Sequence, residues 1–168
     1  NAAAAGVSDR ASFVQGDMYA AEFSQATVLA LFLLPDNLLK LRDKFAALKP
    51  GTRIVANTFG IEEWTADETL TIADDCLSWG TVLLYFVPAR VDGTWQTAQG
   101  PLTLKQQHQL VSGTRGTANI ENGRVKGEML SFTAAGTAYT ARLVGETLAG
   151  TAKTASGDAA WRATRAAK

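Results

Sequence analysis

Apolar positions change rhythm along this chain. From Ala26 to Pro35 they run almost unbroken as ATVLALFLLP, the pattern of a strand covered on both faces. Leu38, Leu41, Phe45 and Leu48 then recur at spacings of three and four, which gathers them on one helix face with Asp36 or Asn37 as the N-cap. Lys49-Pro50-Gly51-Thr52 ends that helix, because proline disfavours helical geometry in the residue before it and glycine accepts positive φ. Arg53 to Phe59 resumes as a strand, and Gly80 to Val87 predicts another. Upstream, Ala11 to Gln15 predicts a short strand running into Gly16-Asp17. Strand, helix, strand in this order implies a right-handed crossover in a parallel sheet.

After Pro88 the texture becomes β-rich. Trp95, Leu102 to Val111, Gly123 to Phe132, Tyr139 to Val144, Thr147 to Thr151 and Trp161 to Thr164 are short alternating stretches punctuated by glycine, the signature of an antiparallel β-meander. Between Leu102 and Val111 the apolar residues switch faces midway, which suggests a bulge or an edge. Arg124-Val-Lys-Gly-Glu resembles Arg142-Leu-Val-Gly-Glu, as repeated hairpins would. The fold class is therefore α/β followed by all-β, with residues 1–90 and 91–168 as separate domains.

Composition narrows the partners. Sixteen basic and sixteen acidic residues give no net charge, so the chain lacks the basic excess that nucleic acid or anionic lipid selects. One cysteine excludes an internal disulfide and a multi-cysteine metal site. It leaves the compartment open, with the cytoplasm favoured over the periplasm. No apolar run approaches the roughly 20 residues of a membrane helix. Ala2 to Ala5 has helix-forming composition without a cap before it, as if a helix began earlier in a longer parent.

Candidate chemistry is sparse. His108, the only histidine, lies among Gln106, Gln107 and Gln109 and reads as a surface strand residue, so a hydrolytic triad has little support. Asp74, Asp75 and Cys76 are consecutive and diverge on any regular element, which suits a solvated turn better than a metal. Glu62, Glu63 and Glu68 read as solvated loop acids. No glycine-rich phosphate loop follows a strand. What remains is a rim: in a doubly wound sheet ligands bind beyond the carboxyl ends of the strands, where Asp17, Met18, Phe32 and Leu33 fall. From Gly16-Asp17 alone, a strand-ending turn and a ligand site fit equally.

Gly6-Val-Ser-Asp-Arg, Phe13-Val-Gln-Gly-Asp-Met, Ala26-Thr-Val-Leu-Ala-Leu-Phe-Leu-Leu-Pro and Leu48-Lys-Pro-Gly-Thr-Arg-Ile-Val together resemble the second half of class I S-adenosylmethionine-dependent methyltransferases. The likeness covers about residues 1–64. It is greatest to a bacterial branch related to seven-strand protein-lysine methyltransferases, some of which carry a β-rich extension. The resemblance implies a partial Rossmann-like sheet and S-adenosylmethionine as cofactor. It also implies that Asp17 accepts the adenine amino group, that Met18 packs on the ring, and that Phe32 and Leu33 border the methionine moiety and substrate channel. Many amino-methylating relatives place Asn, Asp or Tyr where this chain has Phe32-Leu33-Leu34-Pro35. The donor loop and the ribose-binding acid would precede Asn1, so the expected partner is an N-terminal half of the same protein, or a second copy meeting exposed strand edges. The competing expectation is a non-enzymatic binding module built on Trp95, Tyr139 and Trp161, which as aromatics in alternating strands are better read as core.

Overall fold

The computed structural model describes residues 1–72 and 77–167. Its first sheet has four strands in the spatial order β1 (Val28–Leu31), β2 (Arg53–Asn57), β4 (Thr81–Phe86), β3 (Glu68–Thr71). β1 and β2 are parallel, with Ala30 opposite Val55, and helix α1 (Pro35–Ala46) connects them. β4 is antiparallel to both β2 and β3, so β1, β2 and β3 point the same way.

The spacing of apolar residues sets what α1 covers. Leu38, Leu41 and Phe45, followed by Leu48, form one core cluster with Ile54, Ala56 and Tyr85, and each buried leucine contributes about 2 kcal/mol. The helix starts earlier than its expected caps: Leu34 is the N-cap and Pro35 follows it, with no side-chain cap bond. Proline fits there because its missing N–H would be unpaired in any case. Asp36 instead lies in the first turn, where a carboxylate is favoured by the helix dipole.

Three other expectations about this part are corrected. Residues 11–15 form no strand, and Phe13 and Val14 are 86% and 90% exposed. A strand needs a neighbour for its ladder, and among the described residues β1 pairs with β2 alone. The 26–34 strand is short and covered on one face: Leu29 and Leu31 pack against the α1 cluster while Val28 and Ala30 are exposed. Ala2 to Ala5 forms turns rather than a helix. Asp74, Asp75 and Cys76 lie outside the described residues.

The meander closes. Strands β5 (Gly93–Thr97), β6 (Gly100–Gln107), β7 (Leu110–Arg115), β8 (Ala118–Lys126), β9 (Met129–Ala134), β10 (Thr137–Val144), β11 (Thr147–Thr154) and β12 (Gly157–Arg165) pair antiparallel in sequence order. The last returns to the first through Ala163–Thr97 to Arg165–Trp95. Closure removes the unpaired edges that an open meander would carry. Alternate residues fill the interior, among them Trp95, Leu102, Leu130, Tyr139, Leu148 and Trp161, so the three aromatics are core, as their place in alternating strands predicts. The face switch between Leu102 and Val111 is neither bulge nor edge. It is a hairpin turn at His108-Gln109 between β6 and β7, with His108 at φ 50°. The repeated Gly-Glu pairs mark two further hairpin turns, Gly127 at φ 58° and Gly145 at φ 57°.

Candidate functional site

The two cores meet at the starting ends of β2 and β3. Ala89 N–H donates to Gly127 O, and a Cβ added to Gly127 would stand 3.3 Å from Gly51, just before β2. At the start of β3, Asp67 accepts Arg124 Nη2 at 2.8 Å and Phe86 N–H at 2.8 Å, with its side chain 2% exposed. Glu68, read from sequence as a loop acid, begins β3 and pairs with Lys126 at 2.9 Å. His108 stacks on Trp64, and the Gln109 amide donates to Thr65 O. Burial lowers the pKa of His108, aided by the Arg42 guanidinium. The histidine is thus a turn residue at this junction. Glu63, another acid read as solvated, is held by Arg42 at 2.6 Å.

The barrel therefore occupies one end of the sheet, and the carboxyl ends of the parallel strands form the other. That far rim collects residues from three strand ends. Phe32 and Leu33 follow β1; Asn57, Thr58 and Phe59 close β2; Trp79 lies just before β4. Phe32 meets the Trp79 ring edge to face at 5.3 Å and 83°, and Phe59 meets it at 6.5 Å and 76°. Asn57 fixes this arrangement. Its amide donates to Trp79 O at 2.9 Å and its Oδ1 accepts the Thr58 hydroxyl at 3.0 Å, while Thr58 takes φ 65°, uncommon for a β-branched residue. Phe32 is 62% and Trp79 53% exposed.

The structure brings Phe32 and Leu33 to this rim, whereas Asp17 and Met18 follow no strand and lie in an exposed turn whose hydrogen bonds among the described residues are local. Asp17 Oδ1 accepts the Tyr19 N–H at 2.9 Å, an Asx-type turn. Tyr19 then donates its hydroxyl to Asn37 Oδ1 at 2.7 Å, in the first turn of α1, and Lys44 holds Tyr19 O at 3.0 Å. Tyr19 to Ala21 therefore lie along α1. Asp17 is exposed, and its second oxygen makes no hydrogen bond among the described residues. Sequence reasoning missed Asn57, Phe59 and Trp79. The available signal was that Asn57 and Phe59 fall at a strand end and that Trp79 precedes a strand.

Comparison with known proteins gives this geometry a family context. Residues 1–68 match the family model of the ANTKMT methyltransferase domain. A protein-lysine N-methyltransferase from Saccharolobus islandicus (strain REY15A) is 39% identical over 83 residues, 49% of this chain and 51% of that protein. The crystal structure of an RNA methyltransferase from Salinibacter ruber in complex with S-adenosyl-L-homocysteine aligns with 38% identity over 54% of this chain and 56% of that one, at a TM-score of 0.48. The chain thus spans about half the length of the relatives it matches. The family match is confined to residues 1–68. The barrel lies beyond that family match.

Proposed function

We propose that this chain is the second half of a Rossmann-like methyltransferase domain with a barrel appended, and that it takes part in methyl transfer from S-adenosylmethionine to an amine, in the first instance a protein lysine. The observation that carries the reading is the convergence of Phe32, Leu33, Asn57 and Trp79 at the carboxyl ends of β1 and β2, where open α/β sheets bind ligands, within sequence that matches a methyltransferase family.

The residues present suit part of the cofactor. Asp17 retains an accessible carboxylate oxygen able to accept an adenine N–H, and the Met18 thioether, 37% exposed, stands next to it for contact with a flat ring. Phe32 and Leu33 supply an apolar wall. When bound, S-adenosylmethionine supplies a methyl group on a positively charged sulfur. The protein's task is then to align the acceptor, exclude water and desolvate it, for which the aromatic rim is suited and no strong base is needed.

The donor loop and the ribose-binding acid have no counterpart here, so the reading assigns them to polypeptide outside this chain. The N-terminal half of the same protein, pairing with the edge of β1 that has no partner strand among the described residues, is the favoured source, and the exposure of Phe13, Val14 and Val28 supports it. Self-association through the same edge is the second source. The test is transfer of a labelled methyl group from S-adenosylmethionine to lysine-bearing protein by the gene product that contains this chain. Transfer to lysine supports the reading, and label appearing only in RNA replaces the acceptor.

A further inference from the structure

We infer that the mouth of the barrel farther from the sheet binds a carboxylate, with Arg115 as the residue that takes it up and the Gln99 side chain as the group it displaces. The site lies in the part of the chain outside the family match and does not depend on the methyl-transfer reading.

The barrel turns one arginine inward at each mouth. At the mouth that faces the junction, Arg165 pairs with Trp95 across β12 and β5, its guanidinium carbon 4.3 Å from the centre of the indole ring. Its Nη1 donates to Asp92 O, its Nη2 to Arg90 O at 2.8 Å, and its Nε meets Glu146 at 2.6 Å. Every nitrogen has an acceptor, so Arg165 is a structural clasp.

The far mouth is formed by the turns at residues 98–99, 116–117, 135–136 and 155–156, and there Arg115 ends β7. It stands opposite Leu102, which is fully buried, and residues directly opposite share one face of a sheet. Its guanidinium carbon lies 5.0 Å from the centre of the Tyr139 ring, which stacks on Phe132 and meets Trp161 edge to face. Its nitrogens are served unequally. Nη2 donates to Gln99 Oε1 at 3.0 Å, whereas Nε is buried with no acceptor among the described residues. No ion pair among the described residues includes Arg115. Trp161 Nε1, in the same aromatic cluster, is a second buried donor without an acceptor, on a side chain 6% exposed.

Attraction to the Tyr139 ring accounts for where the guanidinium lies, and it leaves the N–H groups still to be paired, because a guanidinium carries donors and no acceptor. Gln99 offers only a neutral amide, from an exposed turn. A carboxylate presents two oxygens to the planar fork and forms charge-assisted bonds about twice as strong as neutral ones. It therefore replaces the amide and gains Nε as the turn yields. A single cation walled by aromatics suits a monoanion, whereas a phosphate dianion would bring in a charge with no counterpart.

The arginine Nε–H signals in heteronuclear NMR spectra of the gene product containing this chain separate Arg115 from Arg165. The probes are propionate, a short acetylated peptide with a free C-terminal carboxylate, the carboxamide of that peptide, and inorganic phosphate. Both carboxylates should shift the Arg115 signal saturably and leave that of Arg165 in place; the tighter of the two identifies the source as a free acid or a chain terminus. By calorimetry, Gln99→Ala, which removes the competing acceptor, should tighten the carboxylate at least ~3-fold, and Arg115→Lys, which keeps the charge without the fork, should weaken it at least ~10-fold. Gln99 lies on an exposed turn, so its variant carries the test if Arg115→Lys does not fold. No saturable shift at Arg115, an equal shift with the carboxamide, phosphate binding as tightly as the carboxylates, or unchanged affinity in Gln99→Ala overturns the inference.

Discussion

His108 lies flat against Trp64, with ring centroids 4.8 Å apart and planes 8° from parallel. The contact joins a hairpin turn of the barrel to the loop that follows β2, and Trp64 is almost fully buried beneath it. A single titratable ring is therefore packed into the junction between the two cores.

Burial holds the His108 pKa below its ordinary value of 6.5, so the folded state binds its proton less readily than the unfolded state does. Below about pH 6.5 the unfolded chain gains that proton first, and stability falls as pH falls until the lowered folded value is reached. Above pH 6.5 the contribution of the neutral ring is complete. Urea unfolding at pH 5 and pH 7.5 should show the loss. His108→Asn, which tolerates the left-handed backbone of this turn, should be less stable at pH 7.5 and have a shallower pH dependence over this interval. An unchanged dependence in the variant would remove His108 as its source.

The Asp67 carboxylate is a buried polar tie across the junction. Asp67→Ala leaves the Phe86 N–H and the Arg124 guanidinium without their acceptor and should cost about 3 kcal/mol. Arg124→Ala should cost less, because Arg124 is 39% exposed and water can replace part of its contact. A double-mutant cycle by denaturant unfolding should return a coupling of at least ~0.5 kcal/mol; additive effects would show that the pair is not coupled.

Barrel closure depends on strands approaching closely at particular glycines. A Cβ added to Gly150 would stand 1.9 Å from Thr140 O, and one on Gly113 would stand 1.9 Å from Thr103 O. Gly150→Ala must displace a neighbouring strand and should cost more than ~2 kcal/mol. Gly116, at φ 59° with nothing within 4 Å of an added Cβ, should accept Asn for less than about 1 kcal/mol. Thermal unfolding of the two variants side by side checks the contrast.

Much of this organisation was legible in the sequence where the signal was local. The 3.6-residue spacing from Leu38 to Leu48 gave α1, and the Gly-Glu repeat gave two hairpin turns, because both patterns arise within a few neighbouring residues. Barrel closure was not legible: Arg165 pairs with Trp95 across 70 residues, and no periodicity encodes which strand returns to which. The strand expected at residues 11–15 failed for a related reason, since Phe13 and Val14 have strand character but no ladder partner among the described strands. At the rim, the family resemblance pointed to Phe32 and Leu33. Trp79 became visible only when β4 was placed antiparallel beside β2, which brings the residue before one strand next to the residues after another.

The proposal that most needs testing is that the Asp17 carboxylate accepts the adenine N–H of a methyl donor. Isothermal titration of S-adenosylhomocysteine into the gene product containing this chain, and into its Asp17→Ala variant, tests it most directly. The account predicts saturable one-site binding, weakened ~10-fold or more by loss of a charge-assisted hydrogen bond, with unchanged thermal stability in the absence of ligand because Asp17 is exposed. Absence of binding by the unaltered protein, or equal affinity in the variant, would contradict it.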